Sequence, residues 1–235
     1  MKPPAIISVL LAEDHDVVRQ GICSLLHTDG NFRVVGEAHS GREAVAMAKT
    51  LRPDVILMDI AMPLLNGLEA TRQIVADRPL AKVLILSAHS DDEYIERAAN
   101  AGVSGFLEKQ TSAEILTKAI LEVASGKVYF SPSIAKRLAR EATQRTATKS
   151  MAATKLTKRE SEVLQLVAEG GTNKHVAAEL GISVKTVEKH RQHLMDKLRI
   201  HDTAGLTRFA ISSGVIESSV QLTIIESSLR PTGAR

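Results

Sequence analysis

"DVILMDIAMPLLNG" spans residues 54–67. Four apolar residues, Val55 to Met58, run into a single carboxylate, Asp59, and Pro63 and Gly67 follow. A short apolar run bounded by turn residues reads as a strand covered on both faces. An ionised acid at its end is costly unless it opens onto a pocket with partners. What Asp59 does therefore depends on what stands at the ends of the other strands.

Working outward, strand-like runs recur at 6–12, 32–38, 54–58, 82–88 and 103–108, with helical patterns between them. Ser40 and Glu43, Ser90 and Glu93, and Thr111 and Glu114 have the spacing of capping boxes at helix starts. This alternation predicts five strands and five helices over residues 5–126. The fold class is α/β, a doubly wound five-stranded parallel sheet with right-handed crossovers and helices on both faces.

Beyond residue 126 the pattern changes. Residues 127–154 read as a linker rich in Ala, Thr, Lys and Arg, of which 143–154 is expected to be flexible. Four short helical segments without a strand pattern follow over 155–216, a small all-α domain, and 217–235 is expected to be a flexible tail. The net charge of +3 conceals an asymmetry between these halves. Residues 1–130 carry 13 Lys/Arg against 17 Asp/Glu, and residues 131–235 carry 17 against 10. An acidic half fits a cation and a basic half fits nucleic acid.

The bulk composition excludes other classes. The apolar run at 5–12 is too short to cross a bilayer and lacks a signal-cleavage pattern. Cys23 is the only cysteine, so neither an intrachain disulfide nor a Cys-based zinc site is available. A cytoplasmic protein with no membrane partner is expected.

In an open parallel sheet, ligands bind beyond the carboxyl ends of the strands. Strand one ends in Glu13 and Asp14, strand three in Asp59 and strand four in Ser87, while strand five runs into Lys109. Two like charges 4 Å apart cost about 4 kcal/mol at an effective dielectric of ~20. A divalent cation relieves that repulsion, and an all-oxygen site with waters suits Mg2+. The cation would also neutralise an incoming phosphoryl group, letting Asp59 attack as a nucleophile. Lys109 would pair with the new charge and the Ser87 hydroxyl would bind a phosphoryl oxygen. Singly, each residue also fits a plainer role as helix cap, solvated lysine or strand end. Four polar groups at the same end of four strands favour the pocket.

These residues carry a resemblance. "LLAEDH" (10–15), "LMDIAMPLLNG" (57–67), "LSAHS" (86–90) and "GFLEK" (105–109) resemble, in order and spacing, the signature segments of response-regulator receiver domains. The resemblance implies that Asp59 accepts phosphate from a histidine kinase. It implies a Mg2+ site at Glu13, Asp14, Asp59 and the Ala61 carbonyl, and a switch pair in Ser87 and Phe106, whose ring fills the space vacated by the hydroxyl. Glu13 stands where Asp is frequent and Phe106 where Tyr is frequent. His89 is a candidate influence on the attacking water and so on the lifetime of the phosphate.

In the basic half, Thr157 and Glu160 again have capping-box spacing, and Val163, Leu164 and Val167 form one helical stripe. Gly170 and Gly171 should end that helix. A helix over about 173–180, the turn "GIS" (181–183) and a helix over about 184–198 make a helix-turn-helix. On the last of these, Val187, Leu194 and Leu198 share a face with Arg191. Lys185, Glu188, Lys189 and Gln192 point the other way, as long polar side chains suited to base edges in a major groove. Lys174, Ser183 and Thr186 lie near helix starts, where phosphate contacts are favoured. "LTKRESEVL", "NKHVAAELGIS" and "KTVEKHR" closely resemble the LuxR-type DNA-binding domain. That resemblance implies a fourth helix (about 203–214) supporting dimerisation. Arg191, on the apolar stripe, is expected to be structural and to pair with Glu160.

Together these resemblances imply a NarL-like regulator: phosphate on Asp59 controls a homodimer binding operator half-sites in double-stranded DNA, the active state freeing the recognition helix. Two alternatives remain open. One is a phosphate-independent DNA-binding protein using its first domain only to dimerise. The other is an aspartyl-phosphate hydrolase, disfavoured because Ala61 stands where such an enzyme commonly places a second acid.

Overall fold

The computed structural model describes residues 6–88, 92–131, 134 and 156–216. His89, the Ser90 cap, the 143–154 linker segment and the 217–235 tail lie outside the described residues. The first domain runs β1 (Ile7–Ala12), α1 (Asp16–Asp29), β2 (Phe32–Ala38), α2 (Gly41–Leu51), β3 (Val55–Asp59), α3 (Gly67–Asp77), β4 (Val83–Ser87), α4 (Asp92–Ala101), β5 (Gly105–Glu108), α5 (Ala113–Ala124) and β6 (Tyr129–Phe130). All neighbouring strands pair in parallel, in the order β2-β1-β3-β4-β5-β6. The chain order reverses between β1 and β3, and a crevice opens at such a point.

The apolar strand runs are continuous because both faces of the sheet are covered. Leu10, Ile56, Met58, Val83 and Ile85 belong to one core cluster, which includes residues of α2, α3 and α4. Val9, Leu11, Val55, Leu57, Leu84 and Leu86 belong to the other, with Leu26 of α1 and Leu116 and Ile120 of α5. The alternation along each strand is the two-residue period of the pleat.

The sheet has six strands, not the five expected. Tyr129 and Phe130 pair with Gly105 and Phe106, and Tyr129 donates its main-chain N–H to the Ser104 carbonyl at 2.9 Å. Gly105 permits the approach, because a Cβ there would lie 2.6 Å from the Tyr129 carbonyl oxygen. Two residues are too few to show a strand period, so the sequence reading ends the sheet one strand early. Ile134 is wholly buried in the same domain's core.

The helix starts also differ in detail. Ser40 caps α2 by accepting the Glu43 N–H at 3.2 Å, but the Glu43 carboxylate takes the N–H of His39 rather than completing a reciprocal box. At α5 the cap position is Ser112, not Thr111. Asn66, unremarked in the sequence, caps α3 through the Glu69 N–H at 2.9 Å.

The second domain comprises α6 (Lys158–Ala168), α7 (Asn173–Leu180), α8 (Val184–Leu198) and α9 (Thr203–Ser212). Thr157 and Glu160 form a complete capping box on α6. Gly170, at φ +88°, adopts the left-handed conformation just beyond it. Val163, Leu164, Val176, Val187, Leu194 and Leu206 join the four helices in one buried cluster.

Candidate functional site

β1, β3 and β5 deliver their terminal side chains into one crevice. Glu13 and Asp59 are only 1% and 2% exposed. The Lys109 ammonium bridges them, 2.8 Å from Glu13 Oε2 and 2.9 Å from Asp59 Oδ2. Ser87, at the end of β4, is buried, and its carbonyl accepts the Lys109 N–H at 2.8 Å. Asp14 borders the crevice, and Ala61 sits two residues past Asp59 in the loop leaving β3. Phe106 is wholly buried in the core cluster that contains Met58, Ile85 and Ile95, so its ring already faces inward.

Electrostatics set the state of this crevice. Burial, with Glu13 adding repulsion, pushes Asp59 up to about 7 despite the neighbouring Lys109. For Lys109, burial opposes the charge, but Asp59 and Glu13 outweigh it and raise its pKa. The oxygens of Glu13 and Asp59 that face Lys109, and the Asp14 oxygen that faces His15, are buried. Glu13, Asp14, His15 and Asp59 can each turn one donor atom to within 4.8 Å of the others. A donor set of three carboxylates and one imidazole, most of it hard oxygen, fits a hard divalent cation.

The sequence reading missed His15. Its Nδ1 lies 3.0 Å from Glu13 Oε1 and 2.9 Å from Asp14 Oδ1. Burial works against the charged ring, but Asp14 and Glu13 together raise its pKa. Its place directly after the acid pair in "EDH" was the available signal.

The loop between β3 and α3 reaches from this crevice to the second domain. Gly67 turns it so tightly that a Cβ would fall 1.8 Å from the Asp59 carbonyl oxygen. At its tip, Leu64 packs against the core of the helical domain. Gln165 of α6, itself 1% exposed, accepts the Asn66 main-chain N–H at 2.7 Å and donates to the Met62 carbonyl at 3.0 Å. Asn66 Nδ2 also reaches the Val215 carbonyl at 3.3 Å, just past α9. Flanking contacts join Gln73 to Glu162 at 3.2 Å and the Arg42 guanidinium to the Glu179 carbonyl. Gly214 lies tightly against Tyr94 and Arg97 of α4.

This docking leaves the expected DNA-reading face open. Lys174, Ser183, Lys185, Glu188, Lys189 and Gln192 are exposed and Thr186 is half-buried. Ser183 caps α8, accepting the Thr186 N–H at 3.1 Å, and Gln192 donates to Asp196 at 2.8 Å. Arg191 is structural, but its expected pairing with Glu160 is absent. It donates to Asn173 at 2.8 Å and Thr203 at 3.1 Å, tying α8 to α7 and α9. Glu160 instead meets Lys197 at 2.7 Å, nearly two turns nearer the end of α8.

Residues 9–121 match the model of the response regulator receiver domain, and residues 154–210 match that of the bacterial regulatory proteins of the luxR family. The response regulator protein VraR of Staphylococcus aureus (strain NCTC 8325 / PS 47) is 37% identical over 211 residues, covering 90% of this chain and 99% of VraR. A crystal structure of a LuxR-family two-component response regulator from Aurantimonas sp. SI85-9A1 is 32% identical, covering 59% of this chain and 99% of that one, with a TM-score of 0.56. A structure of RcsB is 25% identical, covering 88% of this chain and 98% of that one, with a TM-score of 0.54. The chain belongs to the response-regulator family, as a receiver domain joined to a LuxR-type DNA-binding domain. It is a transcriptional regulator of the two-component type, not an enzyme of the aspartyl-phosphate hydrolase kind.

Proposed function

We propose that Asp59 is the phosphoacceptor through which a histidine kinase controls DNA binding by this chain. The observation that carries the reading is the convergence of Glu13, Asp14, Asp59 and Lys109 at the carboxyl ends of β1, β3 and β5. An Asp59 carboxylate oxygen attacks the phosphorus of a phosphohistidine. The P–N bond breaks, and its electron pair stays on the departing imidazole. Glu13, Asp14, Asp59 and the Ala61 carbonyl would hold Mg2+. When bound, it draws negative charge off the phosphoryl oxygens. Lys109 then exchanges its hold on Asp59 for the phosphoryl group, and the Ser87 hydroxyl donates to one of its oxygens. Phe106, whose ring is already buried, is the switch partner of Ser87 in this reading.

On the DNA side, Lys185, Glu188, Lys189 and Gln192 read base edges while Lys174, Ser183 and Thr186 contact phosphates. A relative supports the dimeric mode, since the RcsB structure is of two dimers bound to two parallel DNAs. Phosphorylation favours the homodimer, and two linked half-site contacts gain in avidity. The cytoplasm is the compartment that fits a DNA-binding regulator. Among the described residues, no helix is long and apolar enough to cross a membrane.

Intact mass after incubation with acetyl phosphate and Mg2+ tests this reading. One phosphoryl group on the wild type and none on Asp59→Asn is the expected result. No adduct on the wild type, even after rapid quenching, would leave a phosphate-independent regulator.

A further inference from the structure

Arg19 lies on the first turns of α1, outside every role assigned above, yet it is 6% exposed. Its Nη1 donates to the main-chain carbonyl of Glu13 at 3.1 Å. Its other nitrogens face carboxylates on two more elements: Asp16 at the start of α1, and Glu37 of β2, whose Oε2 is 3.2 Å from Nε. One planar fork thus spans the acid-bearing loop, the helix that follows it and the neighbouring strand. Lys109 by contrast touches the carboxylate oxygens themselves. Arg19 grips only the backbone that carries them.

We infer that Arg19 is a positioning residue for the cation site, holding the β1–α1 loop so that Glu13 and Asp14 present their carboxylates at a fixed spacing. The inference rests on the proposed Mg2+ site. Mg2+ tolerates little departure from octahedral geometry at about 2.0–2.1 Å, so its affinity depends on how firmly the ligating oxygens are held. The opposite side of Glu13 is already fixed, its N–H donating to the Ala38 carbonyl of β2 at 3.0 Å. Arg19 supplies the second hold, on the carbonyl of the same residue.

Calorimetric titration of the full-length protein with Mg2+ tests this on Arg19→Lys, which keeps the charge but loses the fork. Acetyl phosphate labelling and thermal unfolding accompany it. The expected result is Mg2+ affinity weakened about tenfold, with the labelling rate restored when Mg2+ is raised to saturation. Glu37→Gln, which slackens the grip on the guanidinium from outside the loop, should weaken Mg2+ by a smaller factor. Unchanged Mg2+ affinity in Arg19→Lys, whether or not its Tm falls, would overturn the inference and leave Arg19 as packing alone. Failure of the wild type to bind Mg2+ would instead overturn the cation site, and the inference with it.

Discussion

Gln165 reaches across the domain boundary to accept the main-chain N–H of Asn66 at 2.7 Å. Asn66 also caps α3 and lies seven residues beyond Asp59. The loop that leaves Asp59, the proposed phosphoacceptor, is therefore the loop the DNA-binding domain holds. A ligand or modification that shifts this loop alters both sites together, because coupling between two sites is reciprocal.

Gln165→Ala removes that hold. The Asn66 N–H and the Met62 carbonyl would stay buried and unpaired if the domains remained docked, at about 1–3 kcal/mol for each group. The domains should separate instead. Small-angle scattering should show a larger maximum dimension than the wild type, with each domain still folded. An unchanged scattering profile would show that other contacts suffice.

Asp59 provides a pH signature. Its folded pKa of about 7 stands above the unfolded value of ~3.9, so the folded state holds the proton more tightly. The stabilisation is complete below the unfolded value and is lost as pH rises through the folded one. Asp59→Asn should match the wild type near pH 4 and exceed it at pH 8, by on the order of 4 kcal/mol. Denaturant unfolding without divalent cations measures this, and Mg2+ should narrow the gap. A difference independent of pH would contradict the assignment.

Lys109 balances two buried carboxylates, so Lys109→Met should destabilise the receiver by about 3 kcal/mol in the absence of divalent cations. Mg2+ should recover part of that loss. Thermal melts with and without a chelator give the comparison, and equal melts for both proteins would remove Lys109 from the electrostatic account.

The helical domain offers two separable changes. Arg191→Ala cuts the tie between α7, α8 and α9 and should cost about 1–2 kcal/mol of stability. Glu160→Gln loses the partly exposed ion pair with Lys197 but can still accept the Thr157 N–H in the capping box, and should cost less than about 1 kcal/mol. Equal effects would restore Glu160 to the more central role its sequence position suggests.

On the open face of α8, Lys189→Ala should weaken operator binding by about 1–3 kcal/mol and relax base preference. Lys174→Ala should weaken all DNA alike and lower the salt slope by about one unit. Electrophoretic or anisotropy titrations at several salt concentrations distinguish them.

Asp59, Glu13, Asp14 and Lys109 were legible in the sequence because each follows an apolar strand, and strand ends share one edge of a parallel sheet. β6 was not legible, since its two residues owe their strand to the bare Gly105 beside them. The error over Arg191 has a similar origin. Helical spacing placed it on the inner face of α8, but its partners Asn173 and Thr203 were set by how three helices pack. Nothing in the pattern around Gln165 marks a domain contact, because its partners lie 99 and 103 residues earlier.

The burial of Ile134 shortens the leash between the domains. Only residues 135–155 separate it from Leu156, a path of 21 residues whose fully stretched length is at most about 75 Å. Covalently joined domains meet at an effective concentration on the order of 1 mM. A docking contact with an intrinsic Kd of about 0.1 mM would then keep roughly nine molecules in ten closed. Weakening it by about 1.4 kcal/mol would bring the closed and open forms to parity. The contact between the domains can thus be feeble by the standards of separate proteins and still govern the chain, adjustable by a change as small as one hydrogen bond.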